Sequence, residues 1–525
     1  KVIANKSIAS NDIDGFVLRT AIDSVIENVI VDQASYTGIS IERCFNASVL
    51  NCLAKDEGDI DLAGDYGLGI ANCHIVQVIG GEFVSARHGL TIGGFNGIGF
   101  VPNRFINISS AYIATVGLDI QAGDIHGNSE YVSYDNCDMV GGISPGGDHT
   151  TIQNCRITYG VDNGKTPVYY TELKGFTHRI ANNLFINKAV DDSSRGYFID
   201  VGGNSDVVSD MTRGGTFTIT GNDFRAENDS VTISNGIIIY DIVTAGTTEP
   251  RDISITNNTI HKADWVNSTR LRLKKSFKVR RHSSATSKFR RIFIDGNVGN
   301  GGIFIDNDNS SAGSLADIVF LTNNYFKEGD APQIELVDRV IVNNNTFENQ
   351  EFYGLYVIGD STNKIPYAFI ENNRFINCGW AHTSSTTTNA NLVAWRCENV
   401  IIQNNHGFSN FETLRVITAD DADSFTIGET ITGGTSGETA TVFGTRDPFI
   451  FVRDTASGSF TAGETITGSS SGHTATLEAS PNQQKFKYYY HLSMRENDNL
   501  WHDHNVSQHS LSNYSNSNTT VVTTI

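Results

Sequence analysis

Apolar and polar positions along this chain follow one recurring phrase. A β-branched or apolar run is followed by a pair that is mostly Asn-Asn, Asn-Cys or Gly-Asn, then by a further apolar residue. It reads Leu50-Asn51-Cys52-Leu53 early on, Ile152-Gln153-Asn154-Cys155-Arg156-Ile157 and Asn182-Asn183-Leu184-Phe185 further along, and Asn344-Asn345-Thr346-Phe347 and Asn372-Asn373-Arg374-Phe375 later. Successive pairs mostly stand 18 to 39 residues apart; Cys52 to Cys73 is 21 and Asn345 to Asn373 is 28. A quasi-period of this size predicts a solenoid in which each turn buries its apolar face on the next. Ile, Val, Phe and Thr around the pair predict strands rather than helical repeats. Asn tolerates left-handed backbone, so one Asn per turn lets the chain bend sharply between two strands. The predicted fold is therefore all-β: a right-handed parallel β-helix, with loops of variable length at its corners.

Residues 1–420 read as such coils. The chain opens at Lys1 and strand-like text begins at Phe16-Val17-Leu18, which predicts a missing upstream segment. A different repeat follows the coils. Ser424-Phe425-Thr426-Ile427-Gly428-Glu429-Thr430-Ile431-Thr432-Gly433 recurs 35 residues later as Ser459-Phe460-Thr461-Ala462-Gly463-Glu464-Thr465-Ile466-Thr467-Gly468 (460 − 425). Thr-rich strands with Gly turns predict a small tandem β-module over 421–480. Coil text resumes at Tyr488-Tyr489-Tyr490, so 481–525 read as the final coil and C-terminal strands.

Charge and cysteine usage narrow the possibilities. Against 58 Asp and Glu there are 38 Lys and Arg, a net charge of −20. That balance excludes a nucleic-acid partner, which needs a basic footprint. No run approaches the ~18 apolar residues of a membrane span, so no membrane insertion is expected. Of seven Cys, the four at 52, 73, 137 and 155 occupy what reads as one slot of the repeat, stacked as small buried hydrophobes. No CxxC or paired Cys/His cluster suggests a metal, no cofactor is implied, and reduced thiols point to folding in a reducing cytoplasm. Ten of the basic residues fall within 270–291, with no acid among them. There Leu271, Leu273, Phe277 and Val279 alternate with Arg and Lys, as in an exposed hairpin or a charged edge strand.

Parallel β-helices are packed solid inside, so chemistry belongs on a lateral face. Polar residues crowd between 85 and 150, around Arg87-His88-Gly89, Asp124-Ile125-His126-Gly127-Asn128-Ser129-Glu130 and Asp148-His149. In an Asp-x-His strand alternate residues point the same way, so Asp124 and His126 are expected to share a face. A carboxylate beside an imidazole orients and charges a general acid or base. Glu130 or Asp148 is a candidate for the second carboxylate that glycoside hydrolysis requires.

The Arg-His-Gly text at 87–94, the Asp-x-His-Gly-Asn-x-Glu text at 124–130 and the Asn-Cys coils after them resemble the pectate-lyase-like β-helix of bacteriophage tailspikes and appendage proteins. The 35-residue module is similar to repeats of phage structural proteins. This resemblance implies a homotrimer contacting itself through its C-terminal strands, and attachment to other virion tail proteins through the missing N-terminal part. It also implies a virion location and action at the host surface on capsule or O-antigen polysaccharide. Among site residues it nominates Arg87, His88, Asp124 and His126, and leaves the partner acids open among Glu130, Asp148, Glu172 and Asp200. Endo-glycosidic hydrolysis is the leading expectation, since no dense acidic cluster suggests the Ca²⁺ site of a pectate lyase. A lyase of the same fold and a non-catalytic glycan-binding adhesin are the alternatives.

Overall fold

In the computed structural model the chain winds as a right-handed parallel β-helix of three long sheets. The structure describes residues 2–3, 14–55 apart from 33 and 35, 66–93, 102–116, 121–126, 129–159, 168–170, 176–188, 198–201, 215–226, 235–241, 251–262, 275–281, 288–307, 313–329, 332–350, 353–378, 390–408, 414–446, 449–454, 459–478, 485–486, 492–495, 499–503, 506–507 and 520–523. Each coil gives one strand to each sheet. Sheet I begins at Phe16–Arg19, sheet II at Ile22–Glu27 and sheet III at Val2–Ile3 and Ile30–Asp32; they hold 15, 16 and 16 strands. Strands pair in parallel with those one coil before and after, as at Tyr134↔Ile152 and Ile152↔Ile180. Sequence neighbours along the axis are therefore a coil apart in the chain.

The core is a set of vertical stacks. Alternation along each strand sends Val132, Ile152, Ile180 and Ile219 inward from sheet II, all at most 1% exposed. In sheet III the rings of Phe326, Phe347 and Phe375 follow one another, the last two 5.4 Å apart and nearly parallel.

The Asn pairs work as predicted where sheet II turns into sheet III. The first member takes the left-handed conformation, with φ near +55° at Asn154, Asn182, Asn257 and Asn372; glycines supply the same conformation at Gly221 and Gly296. The second member points inward and joins a ladder. Asn183 donates its backbone N–H and its Nδ2 to Asn222 Oδ1, both at 3.0 Å, and Asn222 repeats this to Asn258. The chain of bonds continues through Asn297, Asn324 and Asn345 to Asn373 and Asn405. Buried amides in an apolar core are tolerated because each is met on both sides: the N–H and Nδ2 donate to the next coil's Oδ1, and Nδ2 also donates to a carbonyl of the coil before, as from Asn183 to Ile152 and from Asn222 to Ile180.

Two readings are corrected. The four cysteines do not share one slot. Cys52, Cys137 and Cys155 lie at the corner from sheet II to sheet III, where the Cys155 N–H continues the ladder onto Asn183 Oδ1 at 2.8 Å. Cys73 lies at the other corner, from sheet I to sheet II, where it accepts from the Cys44 N–H at 3.4 Å. The same Asn-Cys text serves both bends, because each needs one left-handed residue and one small inward one. All seven cysteines are free thiols and buried.

The basic stretch is neither a hairpin nor an edge. Lys275–Arg281 is an interior strand of sheet I, paired on both sides, with Phe277 and Val279 fully buried. Arg281 turns inward and donates to the carbonyls of Gly313 and Ser314. Arg280 meets Asp306 at 3.1 Å, and Arg290 and Arg291 both close on Asp252 at 2.5 and 2.6 Å. Residues 270–274 and 282–287 lie outside the described residues, as do Tyr488, Tyr489 and Tyr490.

A seven-stranded antiparallel sheet, whose strands run from Leu414–Thr418 to Lys485–Phe486, interrupts the coils and has its own core around Ile417, Phe425, Ile431 and Ile466. Beyond it Leu492–Arg495, Asn499–Asp503 and Val506–Ser507 rejoin sheets I, II and III, and Thr520–Thr523 adds to sheet II.

Candidate functional site

Sheet I presents the candidate chemistry. In the strand Gly123–Ile125, Ile125 is fully buried, so alternation turns Asp124 outward, between Thr91 of the coil before and Ser144 of the coil after. The Asp124 side chain is 16% exposed. His126, at the end of the same strand, sets Nε2 3.0 Å from Asp124 Oδ2, and its side chain is 44% exposed. Gly93 leaves room for that ring: a Cβ there would meet His126 Cδ2 at 2.8 Å.

His88 completes the cluster from the preceding coil. Its Nδ1 stands 2.6 Å from the Gln121 carbonyl, which can only accept, so Nδ1 carries the proton. Its Nε2 faces Asp124 Oδ2 at 3.7 Å. The Tyr66 ring stacks on His88, with centroids 5.8 Å apart and planes within 10°. The Arg87 guanidinium lies 5.5 Å from the centre of the same Tyr66 ring.

The electrostatics follow from these contacts. Burial pushes the Asp124 carboxyl up, but the His126 hydrogen bond and the nearby His88, His126 and Arg87 outweigh it and hold it below the usual carboxylate range. Burial pushes the His88 imidazole down, against the pull of Asp124. Asp124 is thus an anion that fixes one tautomer of His126, Nε2–H toward the carboxylate, leaving Nδ1 as the basic atom. Such a dyad moves a proton to or from a bound molecule.

The chain turns from sheet I into sheet II between His126 and Ser129, and this separates the other nominated acids from the dyad. Glu130 lies on sheet II and pairs with Arg104 at 2.9 Å. Asp148 is its register partner on the next coil and is buried. Asp200 returns to sheet I, in the column of Asp124 three rungs further on through Ser144 and Tyr169. Its side chain, and Glu172 altogether, lie outside the described residues. Sequence reasoning missed Tyr66 and Gln121, whose contacts with His88 depend on the register between coils. Among the described residues no group of three or more His, Cys, Asp and Glu side chains is placed to hold a metal ion.

Residues 32–206 match the family described as Gp49, pectin lyase-like. The pectate-lyase-like character read from the motifs at 87–94 and 124–130 is met again in that match. No curated protein matches the chain. Among solved structures it is similar to the tailspike protein gp49 from Pseudomonas phage LKA1, with 18% identity over 88% of this chain and 63% of that one, at a TM-score of 0.45. The Pseudomonas phage phi297 tailspike gp61 gives 18% identity over 89% and 64%, at 0.43. The Gp54 tailspike of Acinetobacter baumannii bacteriophage AP22, solved with A. baumannii capsular saccharide, gives 18% over 59% and 48%, at 0.42. The chain spans less than two thirds of the length of each of these proteins.

Proposed function

We propose that this chain is the β-helical body of a phage tailspike that binds a bacterial surface polysaccharide, capsule or O-antigen, along the outward face of sheet I and cuts it. The observation that carries the reading is the Asp124–His126 dyad, a charge-fixed proton carrier on the outside of a long, straight face. Arg87, His88 and Tyr66 beside it offer a cation, a polar ring and an apolar ring face to a saccharide. Glycoside hydrolysis is the leading chemistry, with His126 transferring the proton. The second reading is elimination at a uronic acid, favoured by a lone carboxylate–imidazole dyad with Arg87 beside it to neutralise the substrate carboxylate. Incubation with purified capsular and O-antigen polysaccharides separates the two. New reducing ends alone mark hydrolysis, an ultraviolet-absorbing unsaturated product marks elimination, and binding with neither marks an adhesin.

The assembly we propose is a parallel homotrimer held partly through sheet II. Its outward column runs in register through Gln77, Asn107, Ser133 and Thr151, all polar. From the coil of Phe293 the same column becomes Phe293, Phe320, Ile341, Phe369 and Ile401. A half-buried apolar stripe of that length, with a shallow cleft of about 450 Å³ lined by Arg339, Ile341, Tyr367 and Phe369, suits contact with another protein surface. Attachment to other tail proteins, a virion location and folding in the bacterial cytoplasm complete the proposal; the free buried thiols support the last.

A further inference from the structure

The face that carries Asp124 holds a second constellation of titratable groups, seven coils along the same column. The column passes from Asp124 through Ser144, Tyr169, Asp200, Ile238 and Lys278 to Phe304 and Gln333. With rungs ~4.8 Å apart the two places are roughly 34 Å from each other. Beside Phe304 and Gln333, the neighbouring outward column holds Arg280, Asp306 and Glu335 on three successive strands.

The strands there are pinned from inside by Val279, Ile305, Ile334 and Val357, all fully buried, so the outward side chains have fixed stations. Asp306 and Glu335 follow Ile305 and Ile334 in register, so they stand side by side on adjacent strands. Arg280 Nε lies 3.1 Å from Asp306 Oδ2, and the Gln333 amide donates to Glu335 Oε1. The guanidinium thus sits on Asp306, while Glu335 is met by an uncharged amide. Burial, then the contact with Asp306, pushes the Glu335 carboxyl up to about 7. Flanking the pair are the Phe304 ring, with the Lys278 ammonium 5.9 Å from its centre, and the stacked rings of Tyr353 and Tyr356, 4.9 Å apart.

We infer that Asp306 and Glu335 form a second, glycoside-hydrolysing centre on sheet I, acting on a sugar held against Phe304 and Tyr356. The inference rests on the reading of this face as the polysaccharide track and adds a catalytic pair to it. Glu335 gives its proton to the glycosidic oxygen as the bond from the anomeric carbon to that oxygen breaks, and the Asp306 carboxylate bonds to the anomeric carbon. Water then attacks that carbon, Glu335 takes the water's proton, and the bond to Asp306 breaks, restoring both groups. Outward side chains on strands ~4.8 Å apart match the short carboxyl separation of retaining hydrolysis better than the wider one of inversion.

The test uses the full chain, purified capsular and O-antigen polysaccharides as probes, and reducing-end release as the readout, at about pH 5.5, where Glu335 is protonated, and at about pH 8, where it is not. The Asp124→Asn chain keeps hydrolysis at the lower pH with retention at the anomeric carbon, and adding Glu335→Gln or Asp306→Asn lowers that remainder by ~10²–10⁴-fold. Melting temperatures compared with Asp124→Asn alone show that each double variant is folded. Hydrolysis unchanged on adding Glu335→Gln, or none left in Asp124→Asn alone, overturns the second centre and leaves the Asp124 reading standing. Native-like cleavage in Asp124→Asn at both pH values overturns the Asp124 reading alone, provided Glu335→Gln abolishes it at the lower one. A native chain that binds but releases no reducing ends overturns hydrolysis at both centres.

Discussion

Glu429 and Glu464 each close the turn of the other's repeat. They occupy equivalent places in the two 35-residue repeats, whose strands meet antiparallel with Thr432 opposite Thr467. Glu429 accepts from the backbone N–H groups of Ser470 and Ser471 at 3.0 Å and from Ser471 Oγ at 2.8 Å. Glu464 accepts from Thr435 and Ser436 N–H at 2.9 and 2.8 Å and from Ser436 Oγ at 2.7 Å. Gly433 and Gly468 permit the approach, since a Cβ on either would come within 2.7 Å of a carboxylate oxygen of Glu464 or Glu429.

This exchange predicts a module that weakens in acid. Burial pushes both carboxyls up, but the serine and threonine hydrogen bonds hold them below the usual glutamate range. A depressed folded value means the contribution is present above the ordinary value near 4.5 and is lost as pH falls through the folded one. Glu429→Gln and Glu464→Gln each cost about 1–3 kcal/mol, and the double variant costs less than their sum if the two turns are one cooperative unit. Thermal melts from pH 6 to about pH 3 check this; equal melting of native and variant chains at neutral pH would dismiss it.

The asparagine ladder predicts a penalty for one missing rung. Asn258→Ala removes the acceptor of the Asn222 N–H and Nδ2 and one of the two donors to Asn297 Oδ1, leaving the Asn222 groups unmet. The expected loss is about 2–4 kcal/mol in urea unfolding, larger than for Asn257→Gly, which keeps the left-handed bend at the exposed neighbour. Cys137→Ser also destabilises, because a hydroxyl replaces a thiol at 2% exposure.

At the dyad, Asp124→Asn is expected to lower polysaccharide cleavage at about pH 8 by ~10²–10⁴-fold while binding and melting temperature stay near native. Asn keeps the shape but loses the charge that fixes His126. His126→Ala acts alike. An Asp124→Asn chain that fails to fold would assign the carboxylate to holding the corner together.

For assembly, Phe320→Asp is predicted to drive the proposed trimer toward monomer. Phe320 stacks on Phe293 at 4.5 Å within the apolar stripe, and a charge there must be desolvated on contact. Light scattering reads the mass; a native chain that already runs as a monomer ends the proposal, as does a Phe320→Asp trimer of unchanged stability.

The β-helix was legible in the sequence because its determinants are local. A left-handed Asn bends the chain and its small or amide neighbour turns inward wherever the pair falls, and Asn182-Asn183 or Asn372-Asn373 announce this without knowledge of what they stack on. Alternation likewise put Asp124 and His126 on one face. What the text could not carry is the register between coils, because corner loops of unequal length erase the arithmetic of spacing. Hence Cys73 and Cys137 read as one slot yet occupy different corners, and Glu130, six residues from Asp124, ends on another face. Hence also the basic stretch read as an exposed edge, although its counter-charges, Asp306 for Arg280 and Asp252 for Arg290 and Arg291, arrive from strands 26 to 39 residues away. Asp306 and Glu335, 29 residues apart, become neighbours only when two coils stack. Local backbone chemistry chose the fold, and stacking chose which side chains meet, since contact in a solenoid is made along the axis, across the sequence.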